Sequence, residues 1–245
     1  CGAVEVVCKP GASYSVGQAC RDLVDKIRSA GRADVKGPAP ESARPAAKPM
    51  NVIETTNKIM AIGASTGGVR ALSTVLKAMP ANVPGTVVVQ HMPAAFTKAF
   101  AERLNNECSM KVKEAQNGDH IVPGQVLIAP GGMHMLVARS GANYYVKLED
   151  SAPVYHQKPS VEVLFKSTAQ WAGANAVGAI LTGMGEDGAS GLLEMRKAGA
   201  HTLAQDEQSC VVFGMPKEAI RLGGAEKVVG LNMVAREMIN LAGQG

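Results

Sequence analysis

The chain has 245 residues, 46% of them apolar and 19% charged, a balance that excludes wholesale disorder and suggests one or two globular domains. The net charge of +4 comes from 25 basic and 21 acidic residues scattered along the sequence, and aromatics make up only 4%. Little is available to track or stack a nucleic acid. The longest apolar runs, such as residues 177–181, fall far short of the ~20 residues that a membrane-spanning helix needs. Five cysteines (Cys1, Cys8, Cys20, Cys108 and Cys210) are odd in number, widely spaced and form no CxxC pair. They read as reduced thiols, not as a disulfide framework or a zinc site, and fit a reducing compartment such as the cytoplasm.

In chain order, residues 4–8 form a β-branched run and Lys9-Pro10-Gly11 a turn. Residues 15–30 carry apolar positions near a helical period, with Gly31 placed to end that helix. One strand and one helix do not make a domain, and an opening at Cys1 in place of Met suggests a chain cut from a longer one. Residues 36–49 hold four of the 13 prolines, which suits an extended linker and no regular element. From there strands and helices alternate: a strand at 59–63, a helix at 69–79, a strand at 86–90 and a helix to about 107. A β-rich middle follows at 110–115, 125–129, 133–138 and 144–148, the last two joined by the turn 140–143. A helix at 161–172, a strand at 176–181, a helix at 189–198 and a strand at 202–204 come next. A short helix at 217–222, a strand at 227–230 and a helix from 232 complete the pattern. The alternation predicts an α/β fold with a doubly wound, mainly parallel, Rossmann-like sheet, extended by the middle hairpin as an antiparallel addition.

Open α/β sheets bind ligands at the carboxyl ends of their strands, so reactive side chains just after strands matter most. Ser65 lies in the turn Gly63-Ala64-Ser65-Thr66-Gly67-Gly68 between the first strand and its helix. His91 follows the second strand directly, and Asp187 lies in Thr182-Gly183-Met184-Gly185-Glu186-Asp187-Gly188, the loop leaving the strand at 176–181. A serine hydroxyl becomes a nucleophile when a base takes its proton. A histidine does so near neutral pH, a carboxylate fixes the imidazole tautomer, and backbone N–H groups of Thr66–Gly68 at a helix start would stabilise an oxyanion. Taken singly, each residue has a plain structural reading: Ser65 and Asp187 as helix caps, His91 as a packed side chain. Their convergence on one sheet edge is the stronger signal.

Two competing readings rank lower. A triad of Ser65, Asp187 and His201 has the chain order of α/β-hydrolases, but His201 precedes its strand and so belongs to the opposite edge. The glycine turn also suits dinucleotide binding, yet Val69 replaces the third glycine and Gln90-His91 stands where an acid should hold a ribose. His120, His134 and His156 read as structural or solvated.

Six segments then carry a family resemblance: IGASTGG (62–68), VVVQHMP (87–93), IAPGGMHM (128–135), KPSVEVLF (158–165), LTGMGEDGA (181–189) and AQDEQSCVVFGMPKEAI (204–220). Over residues 57–242 the chain resembles the bacterial chemotaxis protein-glutamate methylesterases, with Glu162 standing where that family leads one to expect aspartate. The resemblance implies a serine hydrolase that removes γ-glutamyl methyl esters from methyl-accepting chemotaxis receptors, releases methanol, and also deamidates glutamine. It implies Ser65, His91 and Asp187 as the catalytic triad, the N–H groups of Thr66 and Met184 as the oxyanion hole, and Gly67, Gly68 and Met92 in the substrate-site loops. It implies no metal and no organic cofactor. Residues 1–31 resemble the last strand and helix of a response-regulator receiver domain, with Lys9-Pro10 at its phosphate-contacting position and residues 32–56 as linker. That implies a histidine kinase as phosphodonor and a phosphoacceptor aspartate upstream of Cys1.

Overall fold

The computed structural model describes residues 57–244 and six helical residues upstream, Leu23, Val24, Ile27, Arg28, Ala30 and Gly31. The expected strand at 4–8, its turn, and the linker at 36–49 lie outside the described residues. The first half of the fold runs β1 (Ile59–Ala64), α1 (Gly68–Lys77), β2 (Gly85–Gln90), α2 (Ala94–Glu107), β3 (Lys111–Glu114), β4 (Gln125–Ile128), β5 (His134–Ser140) and β6 (Asn143–Glu149). The second half runs α3 (Val161–Ala172), β7 (Ala176–Ile180), α4 (Ala189–Lys197), β8 (His201–Gln205), α5 (Met215–Arg221), β9 (Lys227–Val229) and α6 (Leu231–Ala242).

Seven strands form one parallel sheet in the order β3-β4-β2-β1-β7-β8-β9. Every residue of β1, β2 and β7 is buried, as strands covered on both faces must be. Helices α1, α2 and α6 cover one face through residues such as Leu72, Leu104 and Met238. Helices α3, α4 and α5 cover the other through Phe165, Leu192 and Met215. The chain leaves β1 toward β2 and leaves β7 toward β8, so its direction of winding reverses between β1 and β7. That reversal opens a crevice at the carboxyl ends of these two strands, where ligands of such sheets bind.

The expected antiparallel hairpin is present in the middle of the chain. Strands β3 and β4 join the main sheet as parallel neighbours, whereas β5 and β6 form a two-stranded antiparallel sheet of their own. The hairpin is therefore not an extension of the large sheet. It faces α3, and the Val137 N–H of β5 donates to Ser167 Oγ at 3.0 Å. The turn at 140–143 marks the hairpin, but an alternating pattern does not say whether a hairpin joins the main sheet.

One close approach places the site. The side chain of Val161, first residue of α3, wedges between Gly63 on β1 and Gly188 before α4. A Cβ at Gly63 would lie 2.2 Å from Val161 Cγ1, and one at Gly188 would lie 2.3 Å from the same atom. Glycine at both positions lets the start of α3 descend onto the sheet edge. Gly63→Ala should therefore cost about 1–3 kcal/mol through overpacking, read as a lower urea midpoint with an unchanged slope; an unchanged midpoint would contradict the contact.

Candidate active site

Ser65, His91 and the Asp187 loop stand at the carboxyl ends of β1, β2 and β7, three adjacent strands. Ser65 is half-buried and its backbone is fully engaged. Its N–H donates to Thr182 O at 3.0 Å, while its carbonyl accepts from Gly68 N at 2.7 Å and from Gln90 Nε2 at 2.9 Å. Gly67 takes a φ of 79° to close this turn, a conformation in which side chains are strained. Helix α1 then begins at Gly68 without a side-chain cap.

Ala64 and Gln90 are register partners on β1 and β2, so Ser65 and His91 are the next residues along neighbouring backbones about 4.8 Å apart. Gln90 ties the two positions together, because its Nε2 also donates to His91 O at 3.1 Å. The imidazole spans from β2 toward β7, and its Nε2 meets Asp187 Oδ2 at 2.7 Å. Its Nδ1 is buried and has no hydrogen-bond partner. The structure thus joins His91 to Asp187, while Ser65 follows the neighbouring strand and makes no hydrogen bond to the ring. Nucleophile–base contacts commonly tighten only when substrate is bound.

Asp187 is 2% exposed and accepts four hydrogen bonds. Besides His91, Ser160 Oγ donates to Oδ1 at 2.7 Å, Val161 N to Oδ2 at 2.7 Å and Glu162 N to Oδ1 at 3.0 Å. Two of these donors are the first N–H groups of α3, where the helix dipole favours an anion. Burial pushes the carboxyl pKa upward, but the His91 hydrogen bond and charge, with Ser160 and Glu162, outweigh it and hold the group below the ordinary carboxylate value. Ser160 also caps α3 by accepting from Val163 N. Behind it stands His134, buried and structural: its Nδ1 accepts from Ser160 N at 3.2 Å and its Nε2 donates to Ala152 O at 3.1 Å.

A second set of bonds fastens the opposite wall. Thr182 Oγ1 donates to Thr66 O at 3.0 Å and accepts from Val212 N at 3.0 Å. Gln205 accepts from Thr182 N at 2.9 Å and donates to Ser209 O at 2.7 Å. The Gly68 amide, also an expected oxyanion donor, bonds Ser65 O, and Thr66 and Met184 lie on the loops that leave β1 and β7. Met92 is half-buried beyond His91. Burial pushes the nearby Cys210 thiol up to about 12, which removes it as a competing nucleophile. His201 pairs in register with Val177 at the far edge and bonds Glu226 at 2.9 Å, while His120 and His156 are exposed. Among the described residues no cluster of side chains is suited to hold a metal.

The signals for Ser160, Gln90 and Gln205 were present in the sequence as members of the conspicuous segments. Their service to Asp187, Ser65 and Thr182 depends on contacts between distant strands and is invisible in local spacing.

Residues 60–238 match the family model described as CheB methylesterase. The chain belongs to the CheB methylesterase family. It is 54% identical over 98% of its length to "Protein-glutamate methylesterase/protein-glutamine glutaminase 2" of Syntrophus aciditrophicus, covering 71% of that relative. It is 51% identical to the correspondingly named protein 1 of Geobacter metallireducens, with 100% of this chain and 70% of that one aligned. The crystal structure of the Thermotoga maritima CheB methylesterase catalytic domain superposes with a TM-score of 0.74 at 37% identity, over 76% of this chain and 100% of that one. Glu162, where the resemblance leads one to expect aspartate, ties α3 to α4. It is buried, its Oε2 accepts from Gly191 N of α4 at 2.8 Å, and its Oε1 pairs with Lys166 at 3.0 Å.

The Asp187 pKa carries a stability prediction. A carboxylate depressed by folding stabilises the fold fully above its unfolded pKa, and that contribution is lost as pH falls through the folded value. The urea midpoint of Asp187→Asn should lie below that of the native chain by a constant margin from about pH 7 to about pH 5, and the margin should shrink below about pH 4. A margin unchanged down to strong acid would exclude the carboxylate as its source.

Proposed function

We infer that the protein is a serine esterase that hydrolyses γ-glutamyl methyl esters of protein substrates to glutamate and methanol, and converts glutamine side chains to glutamate with release of ammonia. The observation that carries this reading is the buried His91–Asp187 pair at 2.7 Å, set beside Ser65 at the crevice of a methylesterase-family fold. The substrates are methyl-accepting chemotaxis receptors, and the site of action is the cytoplasm. Among the described residues no helix is long and apolar enough to cross a membrane.

With Nε2 committed to Asp187, Nδ1 is the basic nitrogen of His91. It takes the Ser65 proton as Oγ forms a bond to the ester carbonyl carbon. The N–H groups of Thr66 and Met184 receive the developing oxyanion. Collapse breaks the bond to methoxide, which leaves as methanol with the proton from His91. Water then attacks the acyl-enzyme, giving its proton to the same nitrogen, and Ser65 departs with that proton to leave free glutamate. Asp187 stays ionised throughout and stabilises the imidazolium.

Residues 1–31 are assigned to the end of a receiver domain and residues 32–56 to its linker, a reading supported by Lys9-Pro10, by the proline-rich stretch and by the helical residues between 23 and 31. A histidine kinase would then supply the phosphoryl group to the complete receiver.

Ser65→Ala and His91→Ala should each lower methanol release from methylated receptor by about 10⁶-fold, and Asp187→Ala by roughly 10⁴-fold. Substantial turnover by folded Ser65→Ala would exclude Ser65 as the nucleophile. Gln90→Met keeps the side-chain length but removes the donor to both Ser65 and His91. It should cut kcat by about 10–100-fold through misplacement and change KM far less; equal kcat would remove Gln90 from positioning.

A further inference from the structure

Between β6 and α3, Val154 and Gln157 face each other across a tight turn, with Val154 N donating to Gln157 O at 3.1 Å and Gln157 N to Val154 O at 2.9 Å. The two residues at its tip, Tyr155 and His156, have φ of 50° and 62°. Such paired left-handed turns favour Asn-Gly, because a Cβ is strained there. Among the described residues these are the only two non-glycine residues with positive φ. Tyr155 is 43% exposed and His156 is exposed as well, so burial does not repay the strain. A strained conformation retained by two side chains left exposed to solvent points to use of those side chains.

The turn stands next to the site along the chain. From Gln157 the chain runs directly to Ser160, whose hydroxyl holds Asp187. Partial burial raises the Tyr155 pKa, and the charges of Glu162, Glu186 and Asp187 raise it further. A γ-glutamyl ester is only a few bonds from its main chain. When its carbonyl reaches Ser65, the substrate backbone must cross the rim of the crevice. A tyrosine offers a broad apolar face and a polar tip at small entropic cost.

We propose that Tyr155 and His156 contact the substrate polypeptide flanking the modified glutamyl residue, and so select protein-borne esters over small ones. The proposal rests on the reading of Ser65 as nucleophile given above.

The test compares the native chain with Tyr155→Asn/His156→Gly and with Tyr155→Ala. Methanol release is measured from a methyl-esterified receptor fragment and from N-acetylglutamate γ-methyl ester. The double variant should raise Tm by roughly 2–6 °C through relief of strain. Its kcat/KM on the receptor fragment should fall about 10-fold or more, with hydrolysis of the small ester within about twofold. Tyr155→Ala should show the same selective loss without the gain in Tm. Undiminished kcat/KM on the fragment, an equal loss on both esters, or a lowered Tm in the double variant would each overturn the proposal. Ser65→Ala assayed alongside separates the two readings, since activity retained by that variant removes the nucleophile and not the turn.

Discussion

The site depends on how one buried carboxylate is accommodated. Asp187 carries its charge into a nearly dry position, where an unpaired carboxylate costs several kcal/mol. The start of α3 supplies the remedy, with two backbone N–H groups, the Ser160 hydroxyl and a favourable dipole, while His91 supplies the fourth donor. The same bonds that keep Asp187 ionised orient the imidazole. Stability and function therefore share one cluster. The wedge of Val161 against Gly63 and Gly188 is what allows a helix end to come near enough to serve both.

Topology explains which ring nitrogen does what. In the familiar serine protease triad the carboxylate bonds Nδ1 and the distal Nε2 takes the proton. Here His91 arises on β2, Ser65 on β1 between, and Asp187 beyond β1 on the β7 side. The ring must reach over the end of β1, so its distal nitrogen meets Asp187 and the proximal one is left over the serine strand. Under the function proposed above, the two nitrogens exchange duties because the strands arrive in a different order. Gln90, one residue before His91, holds the two strand ends at a fixed spacing by bonding both carbonyls.

Much of this was legible in the linear sequence because it is written in local patterns. Apolar runs of five or six residues alternating with helical periods reveal a parallel sheet, since buried strands cannot tolerate polar positions. Residues placed just after such strands share an edge whatever the strand order, so Ser65, His91 and Asp187 were found together and His201 was set apart. The conspicuous segments then point to one family. The independence of the β5–β6 hairpin was not legible, because alternation says nothing about which strand is the partner. Nor was the bond of the Gly68 amide back to Ser65 O within its own turn.

The sequence by itself determined the secondary structure around the site and the sheet edge that Ser65, His91 and Asp187 share. Only the tertiary structure decided the strand order, the ring nitrogen that faces Asp187, and the capture of that carboxylate by Ser160, Val161 and Glu162. The physical reason is range. Periodicity and turn chemistry act over a few residues, whereas a hydrogen bond between residues 91 and 187, or a valine methyl lodged between two distant glycines, exists only once strands and helices are packed.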